Sequence, residues 1–256
     1  MVIKELSKTK AKELKALSSK KERELHGLFL VEGEKCFIDT YGAFPLRYLI
    51  CSKDWIIRHP EYERKLQNEI LISDKRNIEI ISTLNTPPEV IGVFEKPLAT
   101  NFLPSLENDK FYLLLDEIQD PGNLGTIIRT CDWFGIYDIF ASKNTVDVYS
   151  PKVIHSTMGS LSRVKVHYLD LEKLIENNRK IKVIGTLLNG LPLNETNVGK
   201  GGMLIMGNEG RGISENLKKY IDVALTITPA NLKSHPDSLN VAIATAITLF
   251  HIVSNP

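Results

Sequence analysis

Cysteine is scarce in this sequence, and what there is cannot pair off. The three cysteines (Cys36, Cys51, Cys131) are odd in number, widely spaced and free of any CxxC pattern, which argues against a disulfide-stapled fold and a thiolate metal site. The six histidines (His26, His59, His155, His167, His235, His251) form neither HxxxH nor HExxH, so no metal centre is expected. No sign of charge dominates. Lys+Arg number 32 and Asp+Glu 31, leaving +1, so a nucleic-acid partner would have to be held by a local site rather than by bulk charge. The longest apolar stretch, Val241 to Phe250, falls far short of the ~20 residues a membrane span needs. The N-terminus is charged from Lys4 onward with no apolar h-region, so no secretory signal is expected. A reduced, soluble, cytoplasmic protein follows from these absences.

What is present is ordinary globular material of two textures. A 43% hydrophobic and 25% charged composition over 256 residues excludes disorder for the chain as a whole and allows one large domain or two modest ones. Pro87, Pro88, Pro97 and Pro104 crowd the stretch that ends just before the apolar run Phe111–Leu115. Proline cannot donate to a sheet and biases its predecessor away from helix, so a linker is expected at about 98–109, separating residues 1–98 from 109–256. The first part predicts a helical segment from Ile3 to about Leu25, a strand at Phe29–Val31, a helix from about Gly33 to Tyr41 and a strand at Tyr48–Ile50, with short strands such as Ile78–Ile81 beyond. Residues 1–26 carry eight basic side chains against four acidic ones, the pattern of a solvated amphipathic helix or of an RNA-contacting one. In the second part, strand-like runs at 111–115, 138–141, 164–168, 182–185, 203–206 and 223–227 alternate with helical segments, as in a mostly parallel α/β sheet covered on both faces.

Three motifs stand out, all in the second part. In the first, a strand ends at Leu115, Pro121-Gly122 turns the chain, and Leu124, Ile127, Ile128 and Cys131 fall at i, i+3, i+4 and i+7, the buried stripe of a helix. Asn123 sits where an N-cap belongs, Gly135 at C′, and Arg129 lies off the stripe, either solvated or facing a site. Cys131 on that stripe is core rather than nucleophile. In the second, the strand Met203–Met206 enters Gly207-Asn208-Glu209-Gly210-Arg211-Gly212-Ile213-Ser214. Such glycines either make a plain turn or let the backbone approach a ligand closely. The spacing fits neither a P-loop nor a dinucleotide fingerprint. In the third, Ser238-Leu239-Asn240 precedes a helix that is apolar nearly all round from Val241 to Val253. Ser238 is the expected N-cap, and so apolar a helix must be buried in the core or against another subunit.

In this order, Asn-x-Gly-x-x-x-Arg (Asn123, Gly125, Arg129), Gly207 to Ser214, and Ser-Leu-Asn-Val-Ala (Ser238 to Ala242), the motifs resemble the signatures of the SpoU/TrmH family of RNA ribose methyltransferases over residues 111–253. Phe29 to Lys35 also resembles the L30e-like substrate-binding module that many members carry ahead of the catalytic domain. The resemblance implies an α/β fold whose C-terminal part is tied in a trefoil knot, a topology that periodicity alone would not suggest. It implies S-adenosylmethionine as methyl donor, a ribose 2′-hydroxyl in RNA as acceptor (rRNA ahead of tRNA), no metal, and a homodimer. By the same matching, Thr186, Gly207, Ile227 and Leu239 would hold the cofactor. Asn123, Arg129, Glu209, Ser238 and Asn240 would form the reactive group, with Arg129 at its centre. The segment Ala230 to Asp237 departs from the short Gly-rich form expected of the family, which leaves open the contacts just before Ser238. The alternative is a non-catalytic RNA-binding or ribosome-assembly protein that keeps the fold; the presence of all five matched polar residues speaks against it. A phosphate-binding enzyme built on the glycine loop lacks a P-loop lysine and Mg²⁺ carboxylates.

Overall fold

A computed structural model describes residues 3–66, 69–98, 103–231, 234 and 236–255, without the side chains of Ile3 and Glu69. Residues 99–102 of the expected linker, and Leu232, Lys233 and His235 of the Ala230–Asp237 segment, lie outside the described residues. The chain runs β1 (Ile3–Glu5), α1 (Lys8–Ala16), α2 (Lys20–His26), β2 (Leu28–Glu32), α3 (Glu34–Thr40), β3 (Leu46–Cys51), α4 (Lys53–Arg58), α5 (Pro60–Lys65), β4 (Glu69–Ile72), α6 (Lys75–Ile81) and β5 (Val90–Glu95). It continues through β6 (Phe111–Leu115), α7 (Pro121–Trp133), β7 (Asp138–Ala141), α8 (Pro151–Thr157), β8 (Lys165–Tyr168), α9 (Leu171–Asn177), β9 (Val183–Pro192), β10 (Gly202–Met206), α10 (Glu215–Lys218), β11 (Val223–Thr226) and α11 (Val241–Ser254). These elements form two compact units. One takes in residues 1–99 together with 147–162, the other residues 100–146 and 163–256. The expected division is a single cut near 98–109, whereas residues 147–162 group with the first unit.

In the first unit, the sheet order is β1-β4-β3-β5-β2. Strands β1, β4 and β3 run parallel, and β5 is antiparallel to both β3 and β2. Two expectations need correction. The stretch from Ile3 to about Leu25 is not one helical segment: Ile3–Glu5 pairs with Ile70–Ile72 as a strand, and separate caps start two helices. Ser7 accepts from the Lys10 amide at 3.1 Å and Ser19 from the Glu22 amide at 3.3 Å, each satisfying an otherwise orphaned donor. Ile78–Ile81 is not a strand but the last turn of α6, which Asp74 caps by accepting from the Asn77 amide at 2.9 Å. Ile78 and Ile81, three residues apart on one helix face, pack with Ala11 and Leu14 of α1 in a core that also holds Leu30, Ile50 and Ile91.

The segment 147–162 is sewn into this unit by one buried cation. Arg23 is 2% exposed. It donates from Nε and Nη2 to Asp147 Oδ2 at 2.9 and 2.7 Å, and from Nη1 to the Leu17 and Ser18 carbonyls at 2.9 and 2.8 Å. Beside it Tyr149 packs on Phe29 with ring centroids 4.8 Å apart, and burial pushes the Tyr149 hydroxyl up to about 12.

In the second unit, all six strands are parallel, in the order β11-β9-β10-β6-β7-β8. Strand β6 is central. From it the chain builds outward through β7 and β8 on one side, then places β9, β10 and β11 on the other, so the order reverses between β6 and β10. Both faces are buried: Met203, Ile205, Leu114 and Val183 share one core with Leu171, Leu174 and Ile175 of α9, and the alternate residues Leu113, Leu115, Ile184 and Leu204 on the other face are fully buried. Residues covered on both sides read as near-continuous apolar runs, which is why every expected strand here appears. One strand has an unexpected course. β9 pairs with β11 at Gly185↔Ala224 and next at Leu191↔Leu225, so residues 186–190 leave the ladder as an excursion. Gly190 permits the return, because a Cβ there would meet the Ala224 and Leu225 backbone.

Candidate functional site

In an open parallel sheet, ligands settle at the carboxyl ends of the strands where the order reverses, because the two flanking loops leave in opposite directions and open a crevice. Here those loops are the β6–α7 connection and the glycine loop after β10, with the excursion of β9 and the end of β11 beside them. A cavity of about 540 Å³ opens beside this crevice, at the carboxyl ends of β9, β10 and β11, within the usual range for small-molecule sites. Thr186, Gly207, Ile227 and Leu239, the four residues matched to cofactor binding, all line it, and Glu209 and Ser238 line it too.

The glycine loop is held in a closed ring. Asn208 and Gly212 exchange backbone hydrogen bonds at 3.0 and 2.9 Å, and Asn208 Oδ1 accepts from the Gly210 and Arg211 amides at 3.0 and 3.1 Å. Gly212 has φ +68, a conformation that costs glycine little. Gly207 is glycine for a different reason: a Cβ would land on the Gly212 carbonyl carbon and the Ile213 nitrogen. We therefore expect Gly207→Ala to displace the loop and weaken S-adenosylmethionine binding by about tenfold or more, the scale of a 1.4 kcal/mol loss. Calorimetric titration of the variant checks this, and wild-type affinity would show that the loop is not part of the cofactor site.

Three side-chain ties bind this loop to the β6–α7 connection and a fourth binds it to the first turn of α7. Ser214 N donates to Asp116 Oδ2 at 2.7 Å, Asn208 Nδ2 to the Glu117 carbonyl at 2.8 Å, Arg211 Nη2 to Glu117 Oε2 at 2.6 Å, and Asn123 Nδ2 to Glu209 Oε1 at 2.8 Å. Asn240 Nδ2 in turn donates to Asn123 Oδ1 at 2.9 Å. Glu209, Asn123 and Asn240, 86 and 117 residues apart in the sequence, thus form one hydrogen-bonded chain.

Two caps differ from expectation, and the difference frees functional side chains. Asp120, not Asn123, caps α7, accepting from the Asn123 amide at 2.8 Å with Pro121 in the first turn. Proline is favoured there because its missing N–H would be unpaired anyway. Asn123 sits one turn in, and its amide side chain is available to Glu209 and Asn240. At the other helix, Asn240 rather than Ser238 is the cap, its Oδ1 accepting from the Ala242 and Ile243 amides at 2.9 and 3.3 Å. Ser238 is left exposed at the cavity. Arg129 projects from α7 into solvent; it neither lines the cavity nor joins the chain of amides, and it has no hydrogen bond or ion pair among the described residues. Gly135 takes φ +74 just past the helix, the C′ role expected of it. Cys131 is fully buried, and burial pushes its thiol well above the ordinary range, as a core residue requires.

Sequence reasoning missed Glu117, Asn208 and residues 187–190. Glu117 carries φ +58, rare for a non-glycine residue, and that turn aims both its carbonyl and its carboxylate at the glycine loop. The Asn189-Gly190 pair, a turn signal four residues beyond the expected strand 182–185, is the one trace of the excursion.

The SpoU rRNA Methylase family model matches residues 110–250, the stretch that holds the cavity and the amide chain. The chain belongs to that family. An MRM3-like substrate binding domain matches residues 8–92 of this SpoU-family chain. It is 32% identical over 246 residues to the 23S rRNA (guanosine(2553)-2'-O)-methyltransferase RlmP of Bacillus subtilis, covering 95% of each. Among solved structures, it superposes with a TrmH-family protein from Porphyromonas gingivalis at a TM-score of 0.82, with 34% identity over 96% of this chain and 97% of that one. The AdoMet-bound rRNA methyltransferase from Sinorhizobium meliloti gives a TM-score of 0.85 with 29% identity, over 97% and 95%. Among the described residues, the SpoU-family chain has no helix long and apolar enough to cross a membrane and no cluster of potential metal ligands.

Proposed function

We propose that this protein methylates a ribose 2′-hydroxyl in ribosomal RNA with S-adenosylmethionine as donor. The observation that carries the proposal is the meeting, at Glu209, of the cavity with the Glu209–Asn123–Asn240 chain beside the reversal point of the sheet. The residues present fit the cofactor. Leu225, Ile227 and Leu239 give an apolar bed for an adenine ring, Gly207 keeps the wall free of a side chain, and Asn189, Ser238 and the glycine loop supply polar groups for ribose and amino acid. When bound, the cofactor supplies a methyl group already activated on a sulfonium, so the protein needs positioning and electrostatics rather than a metal.

The residues divide that work. Arg129, a guanidinium that stays protonated at neutral pH, binds the neighbouring RNA phosphate through its fork and stabilises negative charge growing on the attacking 2′ oxygen. Asn123, fixed between Glu209 and Asn240, holds the glycine loop against α7, and Ser238 orients ribose or the cofactor's carboxylate. The C-terminal segment through α11 is assigned the family's trefoil knot, and the reaction is assigned to the cytoplasm. The test is incubation with methyl-labelled S-adenosylmethionine and unmodified ribosomal RNA or ribosomal particles, followed by digestion to nucleosides. Label in a 2′-O-methylnucleoside is expected. Label on a base would overturn the acceptor, and absence of cofactor binding would overturn the enzyme.

A homodimer completes the proposal. Helix α11 buries Val241, Thr245, Leu249 and Ile252, but Ile243, Ile247 and Phe250 form a second stripe at 51%, 39% and 62% exposure. Phe134 at the end of α7 lies 6.5 Å from the Phe250 ring, and its neighbour in sequence, Trp133, is 85% exposed. The all-round apolar helix is therefore half core and half surface, and contiguous apolar surface of this kind marks an interface. The double variant Ile247→Glu/Phe250→Glu is expected to run as a monomer in size-exclusion chromatography with light scattering. Dimers in that variant would place the interface elsewhere.

A further inference from the structure

Arg211 stands in the glycine loop between Gly210 and Gly212, and it lines the cavity. Its backbone is fixed, because its amide donates to Asn208 Oδ1 inside the closed ring. Its side chain is 71% exposed, yet it is tethered: Nη2 donates to Glu117 Oε2 at 2.6 Å, the one hydrogen bond this guanidinium makes among the described residues. A guanidinium has two edges that each present a pair of hydrogens, and Nη2 contributes one hydrogen to each edge. With one of those hydrogens given to Glu117, the second edge stays complete and unpaired. The other cation lining the cavity, Lys218, has no such planar edge and is engaged by Glu215 at 2.7 Å. Of the two carboxylates lining the cavity, Glu209 is tied to Asn123, and Asp237 forms no ion pair with Arg211 among the described residues.

The residue that holds Arg211 is itself held. Glu117 takes φ +58, a left-handed turn that is unfavourable for a residue with a Cβ. The loops that follow β7 and β10 engage each of its polar groups. Its amide donates to Ser142 Oγ at 2.9 Å, its Oε1 accepts from Asn144 Nδ2 at 2.8 Å, and its carbonyl accepts from Asn208 Nδ2 at 2.8 Å. An exposed ion pair contributes little to stability, so the contact between Glu117 and Arg211 does not offset a strained backbone through folding energy. Strain of this kind gathers where geometry serves a site. Here it fixes where the Arg211 guanidinium lies.

We propose that Arg211 is an oxyanion-binding residue of the methyl-transfer site and that Glu117 is its positioning residue. The inference rests on the methyl-transfer reading above. Paired donors in one plane match the two oxygens of a carboxylate or of a phosphate. Both reactants bring such a group: the cofactor its amino-acid carboxylate, the RNA the phosphates beside the target ribose. Arg211 acts from the glycine loop, whereas Arg129 acts from α7.

The test compares full-length wild type with Arg211→Ala, Glu117→Ala and Glu117→Gln, using S-adenosylmethionine and deproteinised total ribosomal RNA as separate probes. Arg211→Ala is expected to weaken one of them about tenfold or more, the scale of one hydrogen-bonded contact to a charged group. A loss confined to S-adenosylmethionine identifies the carboxylate. A loss confined to RNA, with the slope of log K against log[salt] smaller by about 0.7–0.9, identifies a phosphate. Wild-type affinity for both would overturn the proposal, and so would equal losses for both with a lowered melting temperature, which mark damage to the loop. Removing a negative charge beside an anion site ordinarily tightens anion binding. Glu117→Ala is nevertheless expected to weaken the same probe as Arg211→Ala, because the guanidinium loses its tether. Glu117→Gln keeps an acceptor for Nη2 and should bind at least as well as wild type. Tighter binding in Glu117→Ala would make Glu117 a neutralising charge and overturn its positioning role. Failure of the methylation reading shows separately, as absence of label or of cofactor binding in the wild type.

Discussion

Replacing Arg129 by alanine is expected to lower methyl transfer by about 100-fold or more, the usual cost of removing one group that stabilises transition-state charge, with S-adenosylmethionine affinity unchanged. The structure makes this experiment clean. Arg129 is exposed on α7 and outside the cavity lining, with no partner among the described residues. Its removal should therefore cost no more than an ordinary surface change, within about 0.5 kcal/mol. Activity and stability are thus separable at this position. Arg129→Lys sharpens the test, since lysine keeps the charge and loses the planar fork. Turnover near wild type in that variant would exclude bidentate phosphate binding and leave charge alone as the requirement. A pH–rate profile adds a second discriminator. If residue 129 served as the base, activity would rise as it deprotonates and the lysine variant would move that ascending limb to lower pH; a residue acting by its charge gives no such rise and loses activity only where the lysine itself deprotonates.

The second large effect lies at Arg23. Arg23→Ala removes the cation opposite Asp147 and leaves a carboxylate in a site where the side chain is only 10% exposed, together with two carbonyls deprived of their donor. Breaking one side of a buried pair costs about 3–5 kcal/mol, and chemical denaturation followed by the fluorescence of Trp55, which lies in the same unit, measures it. Asp147→Asn should cost a similar amount by stranding the guanidinium. The double variant Arg23→Met/Asp147→Leu should recover part of the loss, because apolar groups of like volume need no partner. Additive losses would show that the pair is not coupled.

How far the sequence foretold the structure depends on the range of the forces involved. Strands β6, β7 and β10 are short apolar runs buried on both faces, so composition alone located them. Helix α7 was legible through Leu124, Ile127, Ile128 and Cys131, yet its start was not, since Pro121-Gly122 signals a turn as readily as a first helical turn. Ser238 and Asn240 are equally good cap residues; only the position of the amides of Ala242 and Ile243 decides between them. The Glu209–Asn123–Asn240 chain joins residues that no local pattern relates, and the family resemblance, not periodicity, grouped them. The excursion of β9 depends on where β11 resumes pairing. Residues 147–162 carry no mark of their destination, because Tyr149 is one more aromatic until Phe29 is known to face it.

That destination bears on how the protein is made. The first unit takes its last sixteen-residue piece, 147–162, from chain that follows β6, α7 and β7. A nascent chain emerging from the ribosome therefore exposes Arg23 and Phe29 without Asp147 and Tyr149 throughout the synthesis of those elements. The first unit cannot reach its final structure until residue 162 has been made, by which point the second unit already has β6, α7 and β7 but not yet β8 to α11. For the same reason a fragment ending near residue 98 lacks part of its own core, and a separately expressed first unit would have to carry residues 147–162 as well.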